Sequence, residues 1–185
     1  TVVTIGADFL GSYGDVTRQA SDWAKTRKPE AGQMSRLHAF EANMSLTGSN
    51  ADMRTMVKPS AYGKVATALL KAVSGQGTAG TLDDATAAAV AQAAADLKKA
   101  GRNALVMAGA NDLSLQRVVN AINAALQSPG VTVTYPVTKL NSGSHAALGQ
   151  LVKDMNAGRV SAVAFLDTNP AYFAPDAAAF KAGLA

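Results

Sequence analysis

Short apolar runs alternate with longer segments of helical period along this chain, and that alternation constrains its fold more than any single motif. Residues 1–5, 34–40, 53–57, 103–108, 131–135 and 161–166 read as strands. In the second of these, Met34, Leu37 or His38, and Phe40 are the candidate buried positions. Between the strands, Val16 to Arg27 reads as a helix carrying the only tryptophan, Trp23. Tyr62 to Val73 places Val65, Leu69 and Val73 on one helical face. The alanine-rich stretch from about Leu82 to Ala100 is a helix by propensity, with Thr81 and Asp84 at the spacing of a capping box. Leu115, Val118, Val119, Ile122 and Leu126 form another stripe, closed by Pro129-Gly130. Leu148, Leu151, Val152 and Met155 form a further one, with Gly158 suited to its C-terminal cap. Strands alternating with helices predict an α/β fold: a doubly wound, mostly parallel sheet with helices on both faces, a Rossmann-like three-layer arrangement. The unbroken apolar run 103–108 fits a strand covered on both sides.

At 185 residues, with 48% hydrophobic and 16% charged, the chain is too apolar to be disordered and is read as one α/β domain over 1–185. Glycines at 75, 77 and 80 mark a Gly-rich linker over 74–81 between two halves. Both ends fall within strand-like or helix-like sequence, Val2 to Ile5 and Phe180 to Ala185, so the chain is expected to be an excised segment of a longer protein. The absence of cysteine excludes a disulfide scaffold, a thiolate metal site and a cysteine nucleophile from these residues. The net charge of +4 is spread along the chain, and its densest group, Lys25, Arg27 and Lys28, closes a helix, where cations meet the negative end of the dipole. No nucleic-acid partner is read from that pattern. No apolar run reaches the roughly 20 residues of a membrane-spanning helix, so no direct membrane insertion is expected.

Chemistry-bearing motifs are few. Gly75 to Gly80 spells GxGxxG, but it follows a helix, whereas a dinucleotide fingerprint follows a strand. Gly6 to Ser12 has phosphate-loop spacing without the lysine, and it lies after the first strand, where small molecules bind doubly wound sheets. His38 and His145 sit on different elements with no ligand-spaced partner. Asp167 and Asn169 follow the last expected strand, which is an argument from placement alone. No serine has a nucleophile-elbow setting and no carboxylate pair has helical spacing, so no catalytic residue and no metal ligand is assigned.

The stretch Phe40 to Ser60, FEANMSLTGSNADMRTMVKPS, resembles a recurrent segment of the molybdopterin oxidoreductase family. In that family a strand ends in a VDPR-type turn, followed by two threonines, an Ala-Asp pair, a short strand and a KPGTD-type turn into a helix. Glu41, Ala42 and Asn43 stand where the aspartate, proline and arginine of the first turn would be. Ser45 and Thr47 take the threonine positions, Ala51-Asp52 and Lys58-Pro59 match, and Ser60, Ala61 and Tyr62 replace Gly-Thr-Asp. Val2 to Asp8, Asn103 to Gly109 and Gly158 to Pro170 resemble further family segments in order.

In active members the aspartates of the two turns help hold the guanine end of molybdopterin guanine dinucleotide. The resemblance therefore points to Glu41, Asn43, Ser60 and Tyr62 as the degenerate cofactor-binding positions. Glu41 keeps a carboxylate one methylene further out, and Tyr62 offers no anionic acceptor. Such changes are similar to a branch of the family that lacks the molybdenum cofactor and serves as the large iron–sulfur subunit of a respiratory quinol:electron-acceptor oxidoreductase. The resemblance thus implies a structural scaffold segment of an electron-transport subunit, with no catalytic centre and no cofactor of its own. Any iron–sulfur clusters would lie elsewhere in the parent. The implied partners are other domains of the same subunit and other subunits of a membrane-associated respiratory complex, on its periplasmic side. Two alternatives stand beside it. One is part of an active molybdenum-bis-pterin oxidoreductase contributing a nucleotide-binding half-site; the other is an unrelated small-ligand module. An excised scaffold is also expected to expose apolar surface, with Phe9, Leu10, Tyr13, Tyr172, Phe173 and Phe180 as contributors.

Overall fold

Four of the apolar runs become strands: β1 (Val2–Ile5), β2 (Leu37–Glu41), β3 (Met53–Met56) and β4 (Leu105–Ala108). They form one all-parallel sheet in the order β3-β2-β1-β4, with Ile5 level with Phe40 and Ala108, and Glu41 level with Met56. The computed structural model describes residues 1–32, 34–134 and 144–184. The chain divides into two compact units after residue 135, and the sheet belongs to the first.

Alternation along the strands sends side chains to two faces. Val3, Ile5, Phe40 and Val106 point to one face and are buried there against three helices. These are α3 (Tyr62–Ser74), α4 (Asp84–Ala100) and α5 (Leu113–Ala125), which present Val65, Leu69, Val90, Leu97, Val119 and Ile122. Small residues let α4 lie close: Ala93 and Ala94 are buried beside Val90. On the other face Leu37 and the half-buried Val2 and Met107 meet Phe9, Leu10 and α1 (Val16–Lys25), the latter through Ala20 and Trp23. Phe9 and Trp23 pack edge to face with centroids 5.8 Å apart. A four-residue helix, α2 (Leu46–Ser49), links β2 to β3. The architecture is Rossmann-like, an α/β sheet with helices on both faces.

Several expectations need correction at the level of residues. Met34 is exposed, because β2 starts only at Leu37. The cap of α4 is Asp83, whose carboxylate accepts from the Thr86 amide at 2.9 Å and the Thr86 hydroxyl at 2.8 Å, so Thr81 stands outside the helix start. Gly158 does take the left-handed conformation just after its helix, φ +67°. The Gly-rich stretch 74–81 begins where α3 ends, with Gly75 at φ +74°, and joins α3 to α4, both in the first unit.

The two later strands are absent from the sheet. Residues 131–134 turn back instead, because the amides of Val131, Thr132 and Val133 all reach the Ser128 carbonyl, which removes donors a ladder would use. One isolated bridge, Pro129 to Val133, is all that remains; Tyr135 lies outside the described residues. The outer edge of β4, where a fifth strand would pair, is covered by side chains. Asn123 of α5, only 2% exposed, accepts from the Val106 amide at 2.9 Å and donates to the Val106 carbonyl at 2.8 Å. Gln116 donates to the Ala108 carbonyl, and the Ser128 and Thr132 hydroxyls donate to that of Ala104. Residues 161–166 are largely exposed and form no strand. They belong to the second unit, whose described residues hold no strand and are built from α6 (His145–Asn156), α7 (Pro170–Phe173) and α8 (Ala177–Ala182). In that unit Phe165 packs against the buried Phe180 with centroids 5.9 Å apart, and Asn156 donates to the Ala179 carbonyl. No described helix is long and apolar enough to cross a membrane.

Candidate functional site

In doubly wound sheets ligands sit outside the carboxyl ends of the strands, where the direction of winding reverses. Here β1 leads toward β2 while β4 lies on its other side, so the reversal falls between β1 and β4. Two loops leave the sheet at that point, starting at Gly6 and Gly109. They are pressed together: a Cβ on Gly109 would collide with the Gly6 carbonyl oxygen. Gly6 turns at φ +64°, and a Cβ on it would stand 2.6 Å from Cε2 of Tyr62. The Tyr62 ring, at the start of α3, thus lies over the end of β1. Its hydroxyl accepts from the Ala42 amide at 3.3 Å.

The loops after β1 and β2 are stitched to each other. Asp8 accepts from the Thr47 amide at 2.9 Å, and the Thr47 hydroxyl accepts from the Leu10 amide at 3.0 Å. Burial works against ionisation of Asp8, but the Thr47 amide and hydroxyl and the Ser12 and Ser45 hydroxyls outweigh it. They hold the carboxyl below its ordinary range.

Glu41 ends β2 with its carboxylate turned inward. Its oxygens accept from the Ser45 hydroxyl at 2.6 Å, the Ser45 amide at 3.1 Å and Arg54 Nε at 2.6 Å. The side chain is 8% exposed, and Gly48 packs so closely on it that no Cβ fits. Both carboxylate oxygens are thus engaged within the chain. Asn43 is exposed in the loop that follows. Ser60 and Tyr62 line an open cavity of about 560 Å³ with Lys64, Thr67 and Ser114, and Glu41 and Asn43 are not among the residues that line it. Of the four degenerate positions, Ser60 and Tyr62 share one cavity, while Glu41 is turned onto Ser45 and Arg54 and Asn43 is exposed.

The remaining sequence candidates have structural roles. His38 is buried, and its Nε2 lies 2.8 Å from Asp96, which also accepts from Arg36 at 3.0 Å. Burial disfavours the charged Asp96, yet hydrogen bonds from Arg36, His38 and Gln92 keep its carboxyl below the ordinary range. Arg27 stacks on Trp23 at 5.4 Å and forks onto Asp52, which also accepts from the Leu37 amide; Lys25 pairs with Asp22. Asp167 and Asn169 follow no strand, so the placement that singled them out lapses. Among the described residues no group of three potential ligands could hold a metal. Of the six aromatic and apolar residues expected at an interface, Phe9, Leu10 and Phe180 are buried, whereas Tyr13, Phe173 and Tyr172 are exposed.

Sequence reasoning missed Arg54 and Ser45 as the partners of Glu41. Ser45, four residues on, was within reach as a local signal; Arg54 meets Glu41 only through the register of β2 and β3. Comparison with models of known protein families and with characterised proteins found no match for the chain.

Proposed function

We propose that this chain is a non-catalytic α/β scaffold segment of an iron–sulfur, molybdopterin oxidoreductase-like subunit. The parent would belong to a respiratory quinol:electron-acceptor oxidoreductase of the kind represented by the B subunit of bacterial alternative complex III. The observation that carries this reading is the state of Glu41. The group standing where the family holds guanine is consumed by Arg54 and Ser45 within the chain. Tyr62, in place of the second aspartate, lies over Gly6 at the end of β1. In this role the segment contributes packing surfaces to other domains of its subunit and to neighbouring subunits on the periplasmic side of the membrane. Redox centres belong to other parts of the parent.

Calorimetry with guanosine nucleotides and with the pterin dinucleotide tests it. The scaffold reading expects affinity no tighter than about millimolar, near −4 kcal/mol. Micromolar affinity would overturn it in favour of a working nucleotide half-site of a molybdenum-bis-pterin oxidoreductase.

A further inference from the structure

Sulfur occurs in this chain only as thioether, in six methionines and no cysteine. Methionine is among the residues most often found inside a protein. Here the distribution is inverted. Met34, Met44, Met53 and Met56 are exposed by 52%, 68%, 44% and 74%, and none of them belongs to either buried cluster. All four stand in loops or at strand ends: Met34 before β2, Met44 between β2 and α2, and Met53 and Met56 at the two ends of β3. The other two are sheltered. Met155 is 6% exposed, and the half-buried Met107 packs against the cluster of Phe9, Leu10 and Leu37.

Oxidation of sulfur follows exposure, because the oxidant must reach the atom, and no thiolate in this chain competes for it. We propose that Met34, Met44, Met53 and Met56 are reversible oxidation sites, at which the chain takes up hydrogen peroxide without loss of its fold. At each, a sulfur lone pair attacks one peroxide oxygen, so that the S–O bond forms as the O–O bond breaks. The departing hydroxide removes the proton from the hydroxysulfonium, which leaves a sulfoxide and water. Sulfur gives up two electrons and the peroxide receives them. The sulfoxide is more polar than the thioether, and at these four positions it stays in water, so no packing is lost. At Met107 the same oxygen would enter the packing of Phe9, Leu10 and Leu37. The exposed four therefore consume oxidant ahead of the two whose oxidation would do damage. A thiol-dependent sulfoxide reductase reverses the step: the oxygen leaves as water while two thiols join as a disulfide. Such an enzyme must reach the side chain, and exposure supplies that access.

The test is peptide mass spectrometry of the full chain during exposure to hydrogen peroxide. Each of the four should gain oxygen at least about tenfold faster than Met107 and Met155, with the circular dichroism spectrum and unfolding midpoint unchanged. Methionine sulfoxide reductases of both epimer specificities, with dithiothreitol, should then return the starting mass. With peroxide limiting, Met34→Leu, Met44→Leu, Met53→Leu and Met56→Leu combined should raise oxidation of Met107 and Met155 several-fold. The rates in the unaltered protein decide the matter if that variant folds poorly. Met107 or Met155 oxidised as fast as the four, a fold lost once the four carry oxygen, or sulfoxides that the reductases leave in place would overturn the proposal.

Discussion

Asn123 pairs with Val106 as a neighbouring strand would, one amide group answering both backbone groups of a single residue at 2.9 and 2.8 Å. A helix residue thereby ends the sheet. Asn123→Leu keeps the volume and leaves the buried Val106 N–H and C=O without partners, at about 1–3 kcal/mol for each. Urea denaturation should show a loss of roughly 2–5 kcal/mol. Asn123→Asp should also destabilise, since a carboxylate accepts from the amide but repels the carbonyl.

The inward pair of Glu41 and Arg54 gives a second prediction. Its side chains are 8% and 23% exposed, so removing one partner strands a charge that is largely out of water. Arg54→Met should cost about 3–5 kcal/mol, and adding Glu41→Gln should restore part of it. A double-mutant cycle by chemical denaturation measures the coupling; simple additivity would show that the pair contributes nothing.

Acid sensitivity follows from Asp8 and Asp96. Both carboxyls are held below their ordinary range when folded, so each favours the folded state above the unfolded carboxyl pKa, about 4. That contribution is lost as pH falls through the folded value. Stability should be flat across neutral pH and drop below about pH 4, and Asp8→Asn and Asp96→Asn should each flatten the drop. Denaturation midpoints measured from pH 7 to pH 2 report both slopes.

Gly6 and Tyr62 should couple. Gly6→Ala meets a left-handed backbone cost of about 1–2 kcal/mol and a collision with the Tyr62 ring. In a Tyr62→Ala background the collision disappears and only the backbone cost remains. Thermal unfolding of the two single variants and the double variant separates the contributions.

Much of the fold was legible because its signals are local. The apolar runs around Val3, Phe40, Thr55 and Val106 became strands, and the stripes through Leu69, Leu97 and Ile122 became helices packed on them. What failed was whatever depends on a neighbour. Val131 to Thr134 has strand periodicity, but a strand needs an open edge beside it, and Asn123, Gln116 and the Ser128 turn take that place. Phe9 and Leu10 looked like loop residues available to a partner, yet they fold onto Trp23 and Leu37. At the candidate site, the positions Glu41 and Tyr62 were legible, but their orientation was not. Arg54 is brought to Glu41 by strand register, and Tyr62 is aimed by the start of a helix over a glycine.

The contact between Gly109 and the Gly6 carbonyl has a bearing on how this chain tolerates change. No side chain relieves it, because the obstacle is main chain on both sides and not the movable end of a neighbour. In a library saturating every position, 109 should return one amino acid, whereas the helical glycines 63 and 149, with open space around them, should accept alanine and gain from it. Drift in this sequence is therefore held back most firmly where two loops leave the sheet, since there the obstacle is backbone.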